Sequence, residues 1–309
     1  MKTSRIVSLG AWLLVLILLR TLPAQAQGNS ISSGPTIPTP SVLSLPLQQR
    51  SNPAEVLRAL AQADVVYLGE THDRPEDHQA QLAIIRELHQ QNPKIAIALE
   101  MFQHPYQGAL DRYLQGQITE SQLQTQTQFK QRWGFPWDYY APILRFAKAN
   151  QLPVLALNTP TEITRKVARG GLESLTSAER QLIPPTTEIR TDNLAYRQQI
   201  QEIYEQSHQG QGSSDRFERF FLAQVLWDET MAAEIAQFLQ ANRDHQVVVL
   251  AGQGHIAYGY GIPSRVKRRI QQDVGRPKLV QRLVLLNPPE KLRSQTDQPV
   301  ADYFWFTPD

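Results

Sequence analysis

The sequence predicts an α/β protein with a largely parallel or mixed central sheet flanked by helices. Five short runs are almost continuously apolar: Val65 to Leu68, Ile95 to Leu99, Val154 to Leu157, Val247 to Ala251 and Leu283 to Leu286. That pattern belongs to strands covered on both faces, because a half-exposed sheet would alternate apolar with polar. Between the first two lies a segment of helical period, Glu76 to Gln90, with Leu82, Ile85 and Leu88 on one face. A crossover helix of that length joins parallel neighbours, so the unit reads as βαβ.

Ahead of the first strand the chain changes character twice. Lys2 and Arg5 precede the apolar stretch Ile6 to Leu19, and Ala24-Gln25-Ala26 supplies the small residues of a cleavage site, so residues 1 to 26 are expected to be an export signal. Losing them removes three positive charges and takes the formal charge from +2 to −1, so the basic balance belongs to the precursor. Residues 27 to 50 are rich in Ser, Pro and Gly and read as a flexible tether. A single domain is expected over residues 51 to 309. It opens at Ser51-Asn52-Pro53-Ala54-Glu55, a cap and early proline that start a helix running to about Gln62.

After the third apolar run comes a long stretch with helix candidates at Glu162 to Ala168, Ser177 to Leu182, Asn193 to Gln206 and Asp215 to Ala241. It is too long for a simple crossover, and a helical cap inserted over about residues 160 to 243 is the expected form. Nucleic acid is not an expected partner: Arg265, Lys267, Arg268 and Arg269 make one short basic run, which reads as a solvated helix face. With no cysteine, disulfides, thiolate metal sites and a Cys-linked lipid anchor are all excluded.

Two apolar runs end in the same pattern, Gly69-Glu70-Thr71-His72 and Gly252-Gln253-Gly254-His255. Ligands bind beyond the carboxyl ends of strands in an open parallel sheet, so strand ends are the first places to look for chemistry. They deliver Glu70, His72, Glu100, Asn158 and His255. Two imidazoles and two carboxylates in one crevice make a ligand set for a divalent metal ion such as zinc, manganese or iron. The competing role for Glu70 and Glu100 is to cap a helix start. The helix from Asp215 adds Asp228, which falls with Gln224 in the apolar stripe Phe217, Phe221, Met231, Ile235, Phe238. A carboxylate there needs a cation, a hydrogen-bond donor or the crevice itself. His78 and His89 read as surface or packing residues, and His104 as a turn residue before Pro105.

The segment Trp133-Gly134-Phe135-Pro136-Trp137-Asp138-Tyr139-Tyr140 is expected to be an irregular aromatic loop, serving as a hydrophobic lid or as a platform for a planar ligand such as a porphyrin. Tyr258 and Tyr260 follow His255 closely, and tyrosine is a known axial ligand of haem iron. No Gly-x-Ser-x-Gly elbow, phosphate loop or dinucleotide fingerprint is present, which argues against serine hydrolase, nucleotidase and dehydrogenase chemistry.

Five pieces in order, VVYLGETH from Val65, ALEMFQHPYQ from Ala98, WDYYAPI from Trp137, LWDETMA from Leu226 and GQGHIAYGYGIPSR from Gly252, together resemble the ChaN family of haem-binding uptake proteins. The resemblance implies an α/β fold shared with erythromycin-esterase-like, TraB and Tiki proteins, a group that includes metal-dependent hydrolases and proteases. It implies haem as cofactor, held by a tyrosine. Tyr140, Tyr258 and Tyr260 are the candidates by neighbourhood, with Trp137 beside them. It also implies a place in iron or haem uptake at the cell envelope, with envelope transport components and a homodimer as partners to test. The alternative is a metal-dependent hydrolase, esterase or peptidase, in which His72, His255, Asp228 and one of Glu70 and Glu100 hold the ion while the other glutamate is general base.

Overall fold

All five apolar runs are strands of one mixed sheet, four of them in its interior and Val154 to Leu157 at one edge. The computed structural model describes residues 40–46, 48–208, 214–271, 278–295 and 298–308, so the expected export signal lies outside the described residues. Among those residues the sheet has eight strands: β1 (Ser41–Ser44), β2 (Gln49–Ser51), β3 (Val65–Glu70), β4 (Ile95–Gln103), β5 (Val154–Asn158), β6 (Gln246–Gly252), β7 (Gln281–Leu286) and β8 (Tyr303–Phe306). Their lateral order is β2-β1-β8-β7-β3-β6-β4-β5. The pairs from β8 through β5 are all parallel, whereas β1 meets both β8 and β2 antiparallel.

The inner strands are apolar throughout because helices cover both faces. On one face Val66, Leu68, Ile97, Leu99, Val248 and Leu250 pack with Ile84, Ile85 and Leu88 of the crossover helix Pro75–Gln91 and with Ile143 and Leu144 of the helix Trp137–Ala149. On the other, Val65, Tyr67, Ala96, Ala98, Val247 and Val249 meet Met231, Ile235 and Leu239 of the long helix Ser214–Ala241 and Val266 and Ile270 of the helix Ile262–Gln271. The opening helix Pro53–Ala61 starts as its sequence requires, with Asn52 Oδ1 accepting from the Ala54 amide at 2.9 Å.

The insertion between β5 and β6 holds the helices Thr161–Gly170, Ser177–Arg180, Leu194–His208 and Ser214–Ala241. Only the second half of the long helix lies on the sheet. Its first half joins Tyr196, Ile200 and Tyr204 in a separate apolar cluster with Phe217, Phe221 and Val225, which is the expected cap.

Three expectations are revised. Ser41–Ser44 and the first two residues of Gln49–Ser51 fall inside the segment read as a tether, yet they are strands, because Val42 is buried to 1% exposure and Leu43 and Leu45 pack on the sheet. Trp137 to Tyr140 are not loop but the first turn of a helix. Pro136 precedes it as cap, and Pro142 sits near enough to the start to cost one backbone hydrogen bond without ending the helix. The basic run is not a solvated face either. Arg268 and Arg269 donate to the fully buried Glu229 carboxylate at 2.6 and 2.7 Å, and Arg265 lies 3.4 Å from it.

A tether would tolerate a charge at position 42, but a buried strand would not. Val42→Asp is expected to lower unfolding stability by several kcal/mol, on the order of a buried unpaired carboxylate. Urea denaturation of the variant against the parent chain measures it.

Candidate functional site

The sheet register builds the site. Glu70, the last residue of β3, is paired with Gly252, the last residue of β6, and on the other side of β6 Leu99 is paired with Leu250. β3 and β6 therefore end level at Glu70 and Gly252, and β4 runs on beside them with Glu100 one residue past its last pair with β6. Alternation then decides the faces. Glu70 shares the face of Val66 and Leu68, towards the crossover helix, while Glu100 shares the face of Ala96 and Ala98, towards the long helix.

Glu70 is 2% exposed and fully engaged. Its Oε1 accepts from the Tyr140 hydroxyl at 2.8 Å and lies 2.9 Å from His72 Nδ1, while its Oε2 accepts from Gln81 Nε2 at 2.7 Å. The turn that carries His72 is clamped from the crossover helix. Asp77 Oδ2 accepts from the Thr71 amide at 2.8 Å, and His78 Nε2 lies 3.1 Å from the His72 carbonyl. Burial pushes the Asp77 carboxyl up to about 6.

A matching arrangement sits on the opposite face. His255, in the short helix Gln253–Ile256 directly after β6, places Nδ1 2.6 Å from Asp228 Oδ1, and the Tyr196 hydroxyl donates to Asp228 Oδ2. Gln224 Nε2 lies 3.3 Å from the same imidazole nitrogen. Each face thus supplies one tyrosine, one buried carboxylate and one histidine in a hydrogen-bonded row.

The two rows meet at Glu100. Its Oε2 accepts from the Gly252 amide at 2.7 Å and its Oε1 lies 3.5 Å from His255 Nε2. A Cβ at Gly252 would stand 3.0 Å from His72 Cε1 and Nε2 and 3.7 Å from Glu100 Oε2. Glycine at that position is what leaves room for the His72 ring. Asn158 supports the group through its amide, which donates to the Glu100 carbonyl at 2.9 Å, while its own side-chain oxygen is buried with no partner among the described residues.

Electrostatics follow from this crowding. Burial works to lower the pKa of His255, but the charges of Glu100 and Asp228 and the Asp228 hydrogen bond outweigh it and bring the imidazole to about 9. Burial likewise opposes the charged form of His72, and the Glu70 hydrogen bond with the charges of Glu100 and Glu70 carries its pKa above the ordinary value. Burial, then the Glu70 and Asp228 charges, keep the Tyr140 and Tyr196 hydroxyls protonated.

His72, His255, Glu70, Glu100 and Asp228 therefore converge, but as hydrogen-bonded pairs. Among the described residues no group of three or more His, Asp or Glu side chains is arranged to hold a metal ion. The Glu70 oxygens are turned to Tyr140, Gln81 and His72, and the Nδ1 of each histidine is committed to a carboxylate. The tyrosines divide. Tyr140 is sealed in the core against Glu70. Trp137 donates to Glu120 Oε1 at 2.7 Å and packs edge-on against Phe129. Tyr258 and Tyr260 instead stack with ring centroids 5.4 Å apart at a cavity of about 380 Å³ that Gln253 and Gly254 also border. His104 bonds the Leu182 carbonyl at 2.9 Å, His89 packs edge-on against Phe146, and neither belongs to the crevice.

Asp77, His78, Gln81 and Tyr196 are the site residues that sequence reasoning missed. His78 and Gln81 stand one helical turn apart on the crossover helix, so a polar patch on its buried face was the available signal. Tyr196 had none, since its partner Asp228 lies 32 residues away.

Residues 56–266, well over half of the chain, match the family described as haem-binding uptake, Tiki superfamily, ChaN. The chain belongs to the ChaN family. Its fold is similar to that of ChaN of Campylobacter jejuni, solved with cofacially bound haem, at a TM-score of 0.66 and 21% identity over 86% of this chain and 96% of that one. An erythromycin esterase mutant in its open conformation matches more loosely, with a TM-score of 0.45 and 15% identity over 79% of this chain and 76% of that one. Among curated proteins, RETICULATA-RELATED 5, chloroplastic, of Arabidopsis thaliana is 28% identical over 289 residues, 86% of this chain but 37% of that protein. This chain thus spans little more than a third of that relative's length.

The His255 shift fixes the sign of one pH effect. Its ordinary pKa of 6.5 is raised to about 9 in the fold, so the charged pair stabilises the protein fully below about pH 6.5 and the contribution is lost as pH rises through about 9. Unfolding free energy measured across pH 6 to 10 should fall over that window. In Asp228→Asn the decline should be smaller and end at lower pH, because one of the two anions holding the proton is gone.

Proposed function

We propose that this chain is an exported haem-binding protein of iron or haem uptake or handling, with the macrocycle seated against the stacked pair Tyr258 and Tyr260. Membership of a haem-binding family supports haem as the ligand, and the single observation in this chain that carries the placement is the tyrosine-lined cavity. Its wall has the chemistry a porphyrin needs. Ala257, Ile203 and Leu292 offer apolar surface, and Lys291 offers a cation for a carboxylate. Gly254 has nothing within 4 Å of where a Cβ would stand, so the cavity stays open where it borders the strand end.

Tyr258 is the better placed ligand of the two. Its backbone sits at φ +60°, a region that costs a bulky residue free energy, and is held there by its amide donating to the Val300 carbonyl at 2.6 Å. The Tyr260 hydroxyl donates to Gln298 Oε1 at 2.9 Å, whereas that of Tyr258 has no partner among the described residues. Bound haem would bring an iron centre open to a phenol oxygen. The protein's part is to supply that oxygen, exclude water with the second ring and anchor the acidic edge.

Export rests on the residue 1 to 26 pattern. Envelope transport components and a second copy of the chain are the partners this reading suggests.

Titrating the purified chain with micromolar haem should produce a Soret band that Tyr258→Phe abolishes or shifts and Tyr140→Phe preserves. No spectral change in the parent chain, or an unchanged band in a Tyr258→Phe, Tyr260→Phe double variant, would reject the placement.

A further inference from the structure

Outside the crevice, three separate elements bring together a histidine and a glutamate that the haem reading leaves unused. His104 opens the short helical turn His104–Tyr106 after β4, Glu234 lies on the long helix Ser214–Ala241, and Gln181 to Pro184 follow the helix Ser177–Arg180 of the insertion. These elements line a cavity of about 190 Å³, which Thr230 and Gln237 also border. We infer that this cavity is a binding site for one divalent transition-metal ion of the zinc class, held between His104 Nδ1 and the Glu234 carboxylate.

The neighbour of His104 fixes its tautomer. A carbonyl oxygen only accepts, so the 2.9 Å contact between His104 Nε2 and the Leu182 carbonyl puts the ring's proton on Nε2. That is the support a metal-ligating histidine ordinarily has, its second ring nitrogen donating to a carbonyl or carboxylate. Nδ1 of the neutral ring is then a bare lone pair, and it faces Glu234 Oε1 at 3.9 Å. Two acceptors confront each other. Burial disfavours the imidazolium and holds the His104 pKa below the ordinary 6.5, and burial also raises that of Glu234, whose carboxylate has no hydrogen-bond donor among the described residues. A cation between them relieves both groups.

The 3.9 Å separation decides which cation fits. It is too long for a direct hydrogen bond, whose usual limit is about 3.2 Å. A water or ammonium bonded to both atoms at about 2.8 Å would have its two bonds closed to about a right angle, short of tetrahedral. A zinc-class ion bonds nitrogen and carboxylate oxygen at about 2.0 to 2.2 Å, so the two atoms already stand at the span of one ion, and an approach of about half an ångström makes the angle tetrahedral. Imidazole with carboxylate suits zinc, nickel or copper, whereas calcium and magnesium take oxygen. Gln181 and Gln237 border the cavity with amide groups, and water completes the coordination. The His104 and Glu234 side chains are 17% and 35% exposed, which leaves the ion a path from solvent. Because His104 also bonds Leu182, an ion here ties the insertion, the end of β4 and the long helix at one point.

The test is titration of the haem-free full chain with zinc chloride, following the histidine imidazole signals by NMR, with His104→Gln identifying the His104 signals by their loss. Micromolar zinc should move the His104 signals to a saturating end point. Glu234→Gln, which keeps the side chain's size, should require about tenfold more zinc or more to reach it, the least that losing a metal's supporting group costs. His245→Gln, which removes a histidine bonded to Asp244 elsewhere, should titrate at His104 as the parent does. If His104→Gln fails to fold, the signals are assigned through the sequence in the parent chain and Glu234→Gln carries the test. His104 signals that stay fixed while zinc binds at other histidines, a parent chain that takes up no zinc, or equal His104 titrations in parent and Glu234→Gln would each overturn the inference.

Discussion

Gly252 lies between two hydrogen-bonded rows that come from opposite faces of the sheet, and its missing side chain is where they join. β6 is the inner strand that touches both β3 and β4, and its last residue is level with Glu70. Any Cβ there would press on the His72 ring at 3.0 Å. The same glycine's amide holds the Glu100 carboxylate. One residue therefore sets both the room for one imidazole and the position of the anion that both imidazoles share.

Such a site strains the fold in a specific way. Glu70, Glu100 and Asp228 are buried carboxylates, and each would cost several kcal/mol if left without partners. Every one has donors: Tyr140, Gln81 and His72 for Glu70, the Gly252 amide for Glu100, and Tyr196 and His255 for Asp228. The next residue of the long helix, Glu229, is buried too and closes on Arg268 and Arg269, with Arg265 beside it. That cluster ties the helix Ile262–Gln271 to the long helix, and so it also fixes the helix turn that presents Asp228 to His255. The polar interior is costly in isolation and self-consistent as a network.

Much of this was legible in residues 65 to 290. Strands buried on both faces announce themselves as unbroken apolar runs, and the doubled Gly-x-x-His marked two strand ends that the sheet places next to each other. What the sequence could not show has physical causes. β1, β2 and β8 are short, and their pairing is decided by where the chain returns, not by local pattern. The first turn at Trp137 falls inside the Gly- and Pro-containing aromatic segment read as a loop, where Pro136 marks the helix start instead of excluding it. Tyr196 and Arg269 look like surface residues until their partners, Asp228 and Glu229, are brought to them across the cap.

The account stands on Glu100 being shared by both histidines, and proton titration of the imidazoles by NMR tests that directly. In Glu100→Gln the pKa values of His72 and His255 should both fall, whereas Glu70→Gln should lower chiefly that of His72 and Asp228→Asn chiefly that of His255. Movement of only one imidazole in Glu100→Gln, or of neither, would contradict a common site.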